Sequence, residues 1–231
     1  MSLLETAIGL IAPPECIGCG AEGRVLCQDC SGSGMSAFGE RCAYCSGLSP
    51  RGRVCIHCRQ TGAPRFVWIT ANHETMAQHL VRVYKFGHSR SAVHPLADLM
   101  ANTFLSYVSP EQARSADFLI VPLPTATSRI RQRGFDHAAL LAKALSKRLG
   151  LPYAQVLGRL GQSRQVGSSR AARLAQQSGN YFVRQPQRVA GRNLLIIDDV
   201  ITTGGSLLAA SRALRAVGAT HVDALVFAKR L

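Results

Sequence analysis

Acidic side chains are scarce in this chain: 13 Asp and Glu stand against 27 Lys and Arg over 231 residues, a formal net charge of +14. Charged residues together make up 17 % and hydrophobic residues 47 %, so the imbalance belongs to a chain that can fold around a core and not to a disordered polyelectrolyte. A surplus of this sign points to a polyanionic partner or to phosphate-bearing substrates. Aromatic residues are few, at 6 % with one Trp, and offer no evident stacking platform for single-stranded nucleic acid. No apolar run reaches the roughly 18 residues of a membrane-spanning helix. The opening stretch MSLLETAIGLIAPPEC lacks a basic n-region and carries Glu5, so a secretory signal is not expected and the chain is read as cytoplasmic. A Walker-type loop, Gly-x-x-x-x-Gly-Lys-Ser/Thr, is absent as well.

Cysteine is present, and all of it is early. The eight cysteines form four Cys-x-x-Cys pairs, Cys16/Cys19, Cys27/Cys30, Cys42/Cys45 and Cys55/Cys58, separated by 7, 11 and 9 residues. In a reducing compartment such pairs are metal ligands before they are disulfides. A two-residue spacer lets one tight turn aim both sulfurs at a metal, and a second turn completes a tetrahedral thiolate site with no open position. Two structural Zn²⁺ are therefore expected, and with eight thiolates they would lower the net charge from +14 to about +10. Sequential pairing gives two ribbons, 16/19/27/30 and 42/45/55/58; cross-braced pairing of first with third and second with fourth is equally compatible with the spacing. The neighbouring residues are rich in Gly, Pro, Ser and Arg, so metal binding must supply the folding free energy of a module over residues 1–62. His57, inside the last pair, is read as solvated or phosphate-facing, because four cysteines already complete the site. His73 and His79 imitate a zinc-protease helix but lie six apart and share no helix face, which excludes that motif.

Residues 63–231 read as a separate α/β domain. Met76, Leu80, Val83, Tyr84 and then Leu96, Leu99, Met100, Phe104, Leu105 recur at helical spacing, predicting two amphipathic helices divided by the segment Lys85 to Arg90. Phe118–Val121 is a short buried strand ended by Pro122 and Pro124, and a basic loop, Arg129 to Phe135, follows. A helix is predicted over 138–149, stopped by Gly150 and Pro152, then a second basic stretch, 159–173. Leu194–Ile197 and Val222–Phe227 are further strands around a helix at 206–217. Strands alternating with helices imply a parallel sheet with helices on both faces and function at the strand C-termini.

The most informative stretch is Leu194-Leu195-Ile196-Ile197-Asp198-Asp199-Val200-Ile201-Thr202-Thr203-Gly204-Gly205-Ser206. A buried strand ends in two carboxylates, and a Thr-Thr-Gly-Gly-Ser turn opens a helix. The turn supplies hydroxyls, its glycines let backbone N–H groups approach an anion, and the helix N-terminus adds partial positive charge. Adjacent carboxylates suit sugar hydroxyls or a bridging Mg²⁺. Phosphate, vicinal hydroxyls and a divalent cation together describe a ribose 5-phosphate.

This stretch resembles the signature of type I phosphoribosyltransferases, which bind 5-phosphoribosyl-1-pyrophosphate (PRPP). Tyr84-Lys85-Phe86, Val121-Pro122-Leu123-Pro124, Arg133-Gly134-Phe135-Asp136-His137-Ala138 and the cysteine pairs extend the resemblance over nearly the whole chain to the ComF family, which includes the competence proteins of natural transformation and the related GntX-type proteins. Two departures stand out: Asp136-His137 where the family has Asn-Gln, and Arg173-Leu174-Ala175-Gln176 where it has Arg-x-x-Asn. The resemblance implies a type I phosphoribosyltransferase-like sheet behind a double zinc ribbon, and a role in DNA uptake or in using DNA as a nutrient. It assigns the 5-phosphate to Thr202, Thr203, Gly204, Gly205 and Ser206, and the ribose hydroxyls to Asp198 and Asp199, with Mg²⁺ accompanying PRPP. The Pro122–Thr127 loop and the cations Arg129, Arg131, Arg133 and Lys85, joined by Arg90, fall to the pyrophosphate. Fixed cations there would stabilise charge growing on the leaving oxygens.

No acidic or aromatic set stands out as a nucleobase-selecting hood. Three functions remain open: a phosphoribosyl-transferring enzyme acting on PRPP or a nucleotide, a single-stranded DNA-binding accessory protein with a regulatory or vestigial PRPP site, and an adaptor docking on a DNA-uptake helicase or other competence protein.

Overall fold

The computed structural model describes residues 13–86, 90–159 and 181–230. In chain order the cysteine region carries two short helices, α1 (Gln28–Ser33) and α2 (Ile56–Gln60). There follow β1 (Val67–Asn72), α3 (Thr75–Phe86), α4 (Val93–Tyr107), α5 (Pro110–Ser115), β2 (Phe118–Pro122), α6 (Thr127–Arg133) and α7 (His137–Leu149). The rest is β3 (Leu157–Arg159), β4 (Tyr181–Val183), β5 (Asn193–Ile201), α8 (Gly205–Ala216) and β6 (His221–Lys229).

Four strands form one sheet in the order β1-β6-β5-β2, and every neighbouring pair is parallel. The register sets Ile196 of β5 between Val121 of β2 and Ala224 of β6. Strand periodicity then divides the apolar residues between two layers. Leu195, Ile197, Leu225 and Phe227 pack with Leu96, Met100 and Phe104 of α4 and with Leu141 and Leu145 of α7. Leu194, Ile196, Val222 and Val226 pack on the other side with Leu207, Ala210 and Leu214 of α8. Burial on both faces explains why β5 begins as an unbroken apolar run and not as an alternation. A second, antiparallel sheet consists of β3 and β4.

Local chemistry sets the helix ends near the site. Asp136 caps α7 by accepting from Ala139 N–H at 3.2 Å, and Thr125 Oγ1 donates to the same Oδ1 at 3.0 Å. Asp136 is thus an effective cap. Gly134 closes α6 with φ +79°, a left-handed conformation that favours glycine.

Both ribbons are welded to the α/β layers. Cys16, Val25 and Leu26 share a core with Trp68 and Leu80. Cys42, Ala43 and Val54 share the other with Ile69 and Leu207. Arg65, just ahead of β1, forms a bidentate pair with fully buried Asp223 of β6.

The structure corrects several expectations. Arg129 to Arg133 belong to a helix, α6, and not to a loop. β5 runs through Asp198 and Asp199 to Ile201, so the carboxylates lie within the strand. Leu105 is 39 % exposed although it continues the apolar spacing, while Val81 is buried. The strand Val67–Asn72 was not anticipated, because Thr70 and Asn72 interrupt its apolar run. Most of the basic stretch 159–173 and the Arg173–Gln176 departure lie outside the described residues, as does the Arg90 side chain.

Candidate functional site

The cysteines assemble sequentially. The sulfurs of Cys16, Cys19, Cys27 and Cys30 form one group and those of Cys42, Cys45, Cys55 and Cys58 the other, all within 4.8 Å of one another inside each group. Cross-braced pairing is excluded. Backbone N–H groups turn inward: Cys27 N–H donates to Cys16 Sγ at 3.3 Å and Cys30 N–H to Cys27 Sγ at 3.4 Å. The donor to Cys16 favours its thiolate. The backbone N–H groups of Cys19 and Cys27 bring the Cys16 thiol down to about 6. Burial opposes ionisation of Cys42, but the N–H groups of Cys45, Cys55 and Tyr44 outweigh it and bring that thiol down to about 7. Four clustered sulfurs, with backbone donors lowering one thiol in each group, fit a structural zinc ion in each ribbon. His57 is exposed, as expected.

The second centre lies at the C-terminal edge of the sheet, where β5 delivers Asp198 and Asp199. Asp199 N–H donates to Asp198 Oδ1 at 2.9 Å. Lys85, from the last turn of α3, reaches Asp199 Oδ1 at 2.7 Å. Burial, and then the like charge of Asp199, push the Asp198 carboxyl up to about 8, against Lys85, which lowers it. Two crowded hard-oxygen donors, one of them reluctant to ionise, fit a further cation such as Mg²⁺.

Beyond the carboxylates β5 turns directly into α8. Gly204 is the N-cap, with φ +80°, and no side chain caps the helix. Gly205 N–H has only a long contact, 3.5 Å, to Thr203 Oγ1. Thr202, Thr203, Gly205 and Ser206 are exposed, and Gly204 is buried. Open first-turn N–H groups flanked by hydroxyls are donors that could receive an anion. Lys229, at the end of β6, holds the turn from the sheet side through the Thr202 carbonyl.

Helix α6 faces the carboxylates. Arg129 and Arg133, four residues apart, share one face, and Arg131 lies on another. Arg129 acts electrostatically on Asp198, and Asp199 on Arg133. The Arg133 guanidinium covers the Phe86 ring at 5.0 Å, and its buried Nε has no hydrogen-bond partner. Burial lowers its pKa, with Asp199 opposing and Arg129 reinforcing. The structure therefore pairs Lys85 with Asp199 and sets Arg129 and Arg133 within electrostatic reach of the carboxylates, while Arg129 and Arg131 are both exposed.

Three neighbours escaped the sequence reading. His137 is buried, stacked on Phe135 at 4.1 Å and edge-on to Tyr84 at 5.0 Å. Tyr44, between Cys42 and Cys45, packs on the turn at Gly204. A 280 Å³ cavity beside α6, lined by Pro124, Thr127, Asp136, Gln155 and Arg184, adjoins the Pro122–Thr127 loop. Only His137 had a signal, its place in the Arg-Gly-Phe motif.

A phosphoribosyl transferase domain model matches residues 136–231. The chain is 26 % identical to competence protein ComFC of Bacillus subtilis over 196 residues, 82 % of this chain and 77 % of that protein. It is 42 % identical to orotate phosphoribosyltransferase of Pyrobaculum calidifontis over 81 residues, which is 35 % of this chain and 41 % of that enzyme. Among solved structures, adenine phosphoribosyltransferase overlays with a TM-score of 0.38 at 19 % identity, covering 63 % of this chain and 73 % of that one.

Proposed function

We propose that this chain, a ComF-family protein with a phosphoribosyltransferase domain behind two four-cysteine ribbons, binds PRPP at the C-terminal edge of its sheet and serves DNA uptake or the reuse of DNA as a nutrient in the cytoplasm. One observation carries the reading. The Asp198–Asp199 pair passes directly into an uncapped phosphate turn, and Lys85, Arg129 and Arg133 stand across from it.

In this reading Thr202 to Ser206 take the 5-phosphate through backbone N–H and hydroxyl donors. Asp198 and Asp199 accept from the ribose hydroxyls and would hold Mg²⁺, which supplies charge neutralisation when bound with PRPP. Arg129 and Arg133 lie where pyrophosphate charge would grow, and fixed cations favour such a state over the ground state. Zinc fills both ribbons and acts structurally. Calorimetry of PRPP with and without Mg²⁺ tests the site. Binding should be Mg²⁺-dependent and lost in the double variant Asp198→Asn, Asp199→Asn; unchanged affinity there removes the ribose assignment. Pyrophosphate release across a panel of nucleobases and nucleotides then decides between transfer and binding alone.

A second reading, single-stranded DNA binding or docking on an uptake helicase, is favoured by the exposed Arg24, Arg41, Arg51 and Arg53 on the ribbons. Those cations are placed apart from the carboxylates in sequence and are free of any acidic partner among the described salt bridges.

A further inference from the structure

The second ribbon does more than sit beside the sheet. Tyr44, held between Cys42 and Cys45, lies so close to the phosphate turn that a Cβ on Gly204 would come within 2.5 Å of Tyr44 Cε1 and 2.9 Å of Cδ1. Gly204 is the residue whose left-handed backbone redirects the chain from β5 into α8, and its carbonyl receives the Leu208 N–H at 2.9 Å. The ring thus rests on the one backbone atom group that aims the first-turn N–H donors. The Tyr44 hydroxyl is buried with no hydrogen-bond partner, so the contact is one of shape and not of hydrogen bonding.

The same ribbon grips the far end of the helix. Arg212 Nε donates to Thr61 O at 2.7 Å and Arg215 Nη2 to Ala63 O at 3.0 Å, both carbonyls lying just beyond Cys58. Cys42 and Ala43 belong to the same buried cluster as Leu207 and Leu214 of α8. The phosphate helix is therefore braced at its N-cap and along its length by a segment whose own fold depends on four sulfurs sharing a metal.

We propose that Tyr44 is a positioning residue for the phosphate turn, through which the Cys42/Cys45/Cys55/Cys58 site is coupled to affinity for a ribose 5-phosphate group. The inference rests on the phosphate reading of the turn given above. Coupling of this kind is reciprocal: whatever metal binding adds to phosphate affinity, phosphate binding adds to metal retention in that ribbon.

The test uses the full-length, zinc-loaded chain as wild type, Tyr44→Phe, Tyr44→Leu and Tyr44→Ala, with zinc content and circular dichroism confirming the fold. Two quantities are read: amide exchange at Leu208 and the first turn of α8, and the affinity for ribose 5-phosphate by calorimetry. Tyr44→Phe should match wild type in both. Tyr44→Ala should speed exchange at that turn about tenfold, leave β2 protected as before, and weaken ribose 5-phosphate binding about tenfold. If Tyr44→Ala fails to hold zinc, Tyr44→Leu carries the comparison. Unchanged exchange in the truncated variants overturns the inference, as does equal ribose 5-phosphate affinity in wild type and Tyr44→Ala. A loss in Tyr44→Phe as large as in Tyr44→Ala overturns it as well, because the hydroxyl would then be the working group. If exchange responds as expected but wild type does not bind ribose 5-phosphate, the phosphate reading fails while the positioning role stands.

Discussion

Lys85 Nζ lies 2.7 Å from Asp199 Oδ1, an ion pair that ties the last turn of α3 to the carboxylate edge of β5. Both side chains are largely buried, 18 % and 13 % exposed. The pair sits at the electrostatic centre of the site, because Asp199 also acts on Arg133, His137 and Tyr84.

Replacing Lys85 by Met leaves a partly buried carboxylate beside another carboxylate. The expected cost is about 1–3 kcal/mol of stability, read from urea unfolding. PRPP affinity should also fall at least tenfold if Lys85 is one of the three cations serving the pyrophosphate as proposed. A Lys85→Met variant that binds PRPP as tightly as wild type would exclude Lys85 from the ligand site.

His137 provides a pH signature. Burial first, then Arg133 and Lys85, lower its pKa, while Asp199 opposes them. Its folded value thus lies below its unfolded one, near 6.5. The stability this group contributes is complete above the unfolded value and is lost as pH falls through the folded value. His137→Gln, which removes the titrating ring, should flatten the stability profile below about pH 6.5. Denaturant midpoints at a series of pH values compare the two proteins; parallel profiles would show that His137 does not titrate across that range.

The Arg65–Asp223 pair predicts an asymmetry. Asp223 is fully buried and accepts from Arg65 Nε at 3.2 Å, Arg65 Nη2 at 2.7 Å and Phe66 N–H at 3.1 Å, whereas the Arg65 side chain is 34 % exposed. Arg65→Met strands a buried charge and should cost about 3 kcal/mol or more. Asp223→Asn leaves an arginine that can turn to water and should cost less. Equal losses in urea unfolding would contradict the assignment of the burden to Asp223.

Metal analysis of reduced protein should find two zinc ions per chain. Because the sulfurs cluster sequentially, Cys16→Ser with Cys19→Ser should lower the count to one and not to zero. A loss of both metals in that variant would mean that the ribbons fold as one unit. Less than one zinc in wild type would remove the metal assignment.

Single-stranded DNA binding, if present, should weaken steadily with salt as phosphate contacts release counterions. Fluorescence anisotropy with and without PRPP and Mg²⁺ separates two surfaces. DNA on α6 would be displaced by PRPP and lost in the Arg129, Arg131, Arg133 triple Ala variant. DNA on the ribbons would ignore PRPP and respond to loss of Arg24, Arg51 and Arg53. No binding at low salt would leave the small-molecule site as the better account of the basic charge.

The strand cores Phe118–Val121, Leu194–Ile197 and Val222–Phe227 were legible in the sequence because burial on both faces demands a largely apolar run, whereas the extension of β5 through the carboxylates to Ile201 was not. The carboxylate pair, the glycine turn and the cysteine spacing were legible because each is local chemistry, held within a dozen residues. Tertiary structure alone decided what those pieces meet. The spacing of the cysteines allowed two pairings, and only the packing of each ribbon against its own face of the sheet selected the sequential one. Arg129 to Arg133 looked like a basic loop, yet they form a helix closed by Gly134 that sets Arg129 and Arg133 within electrostatic reach of the carboxylates. Lys85 lies 114 residues from Asp199 and Tyr44 far upstream of Gly204, so nothing in the chain's order couples them. Those contacts arise because a parallel sheet gathers the ends of distant strands along one edge, where α3, α6 and the second ribbon all converge.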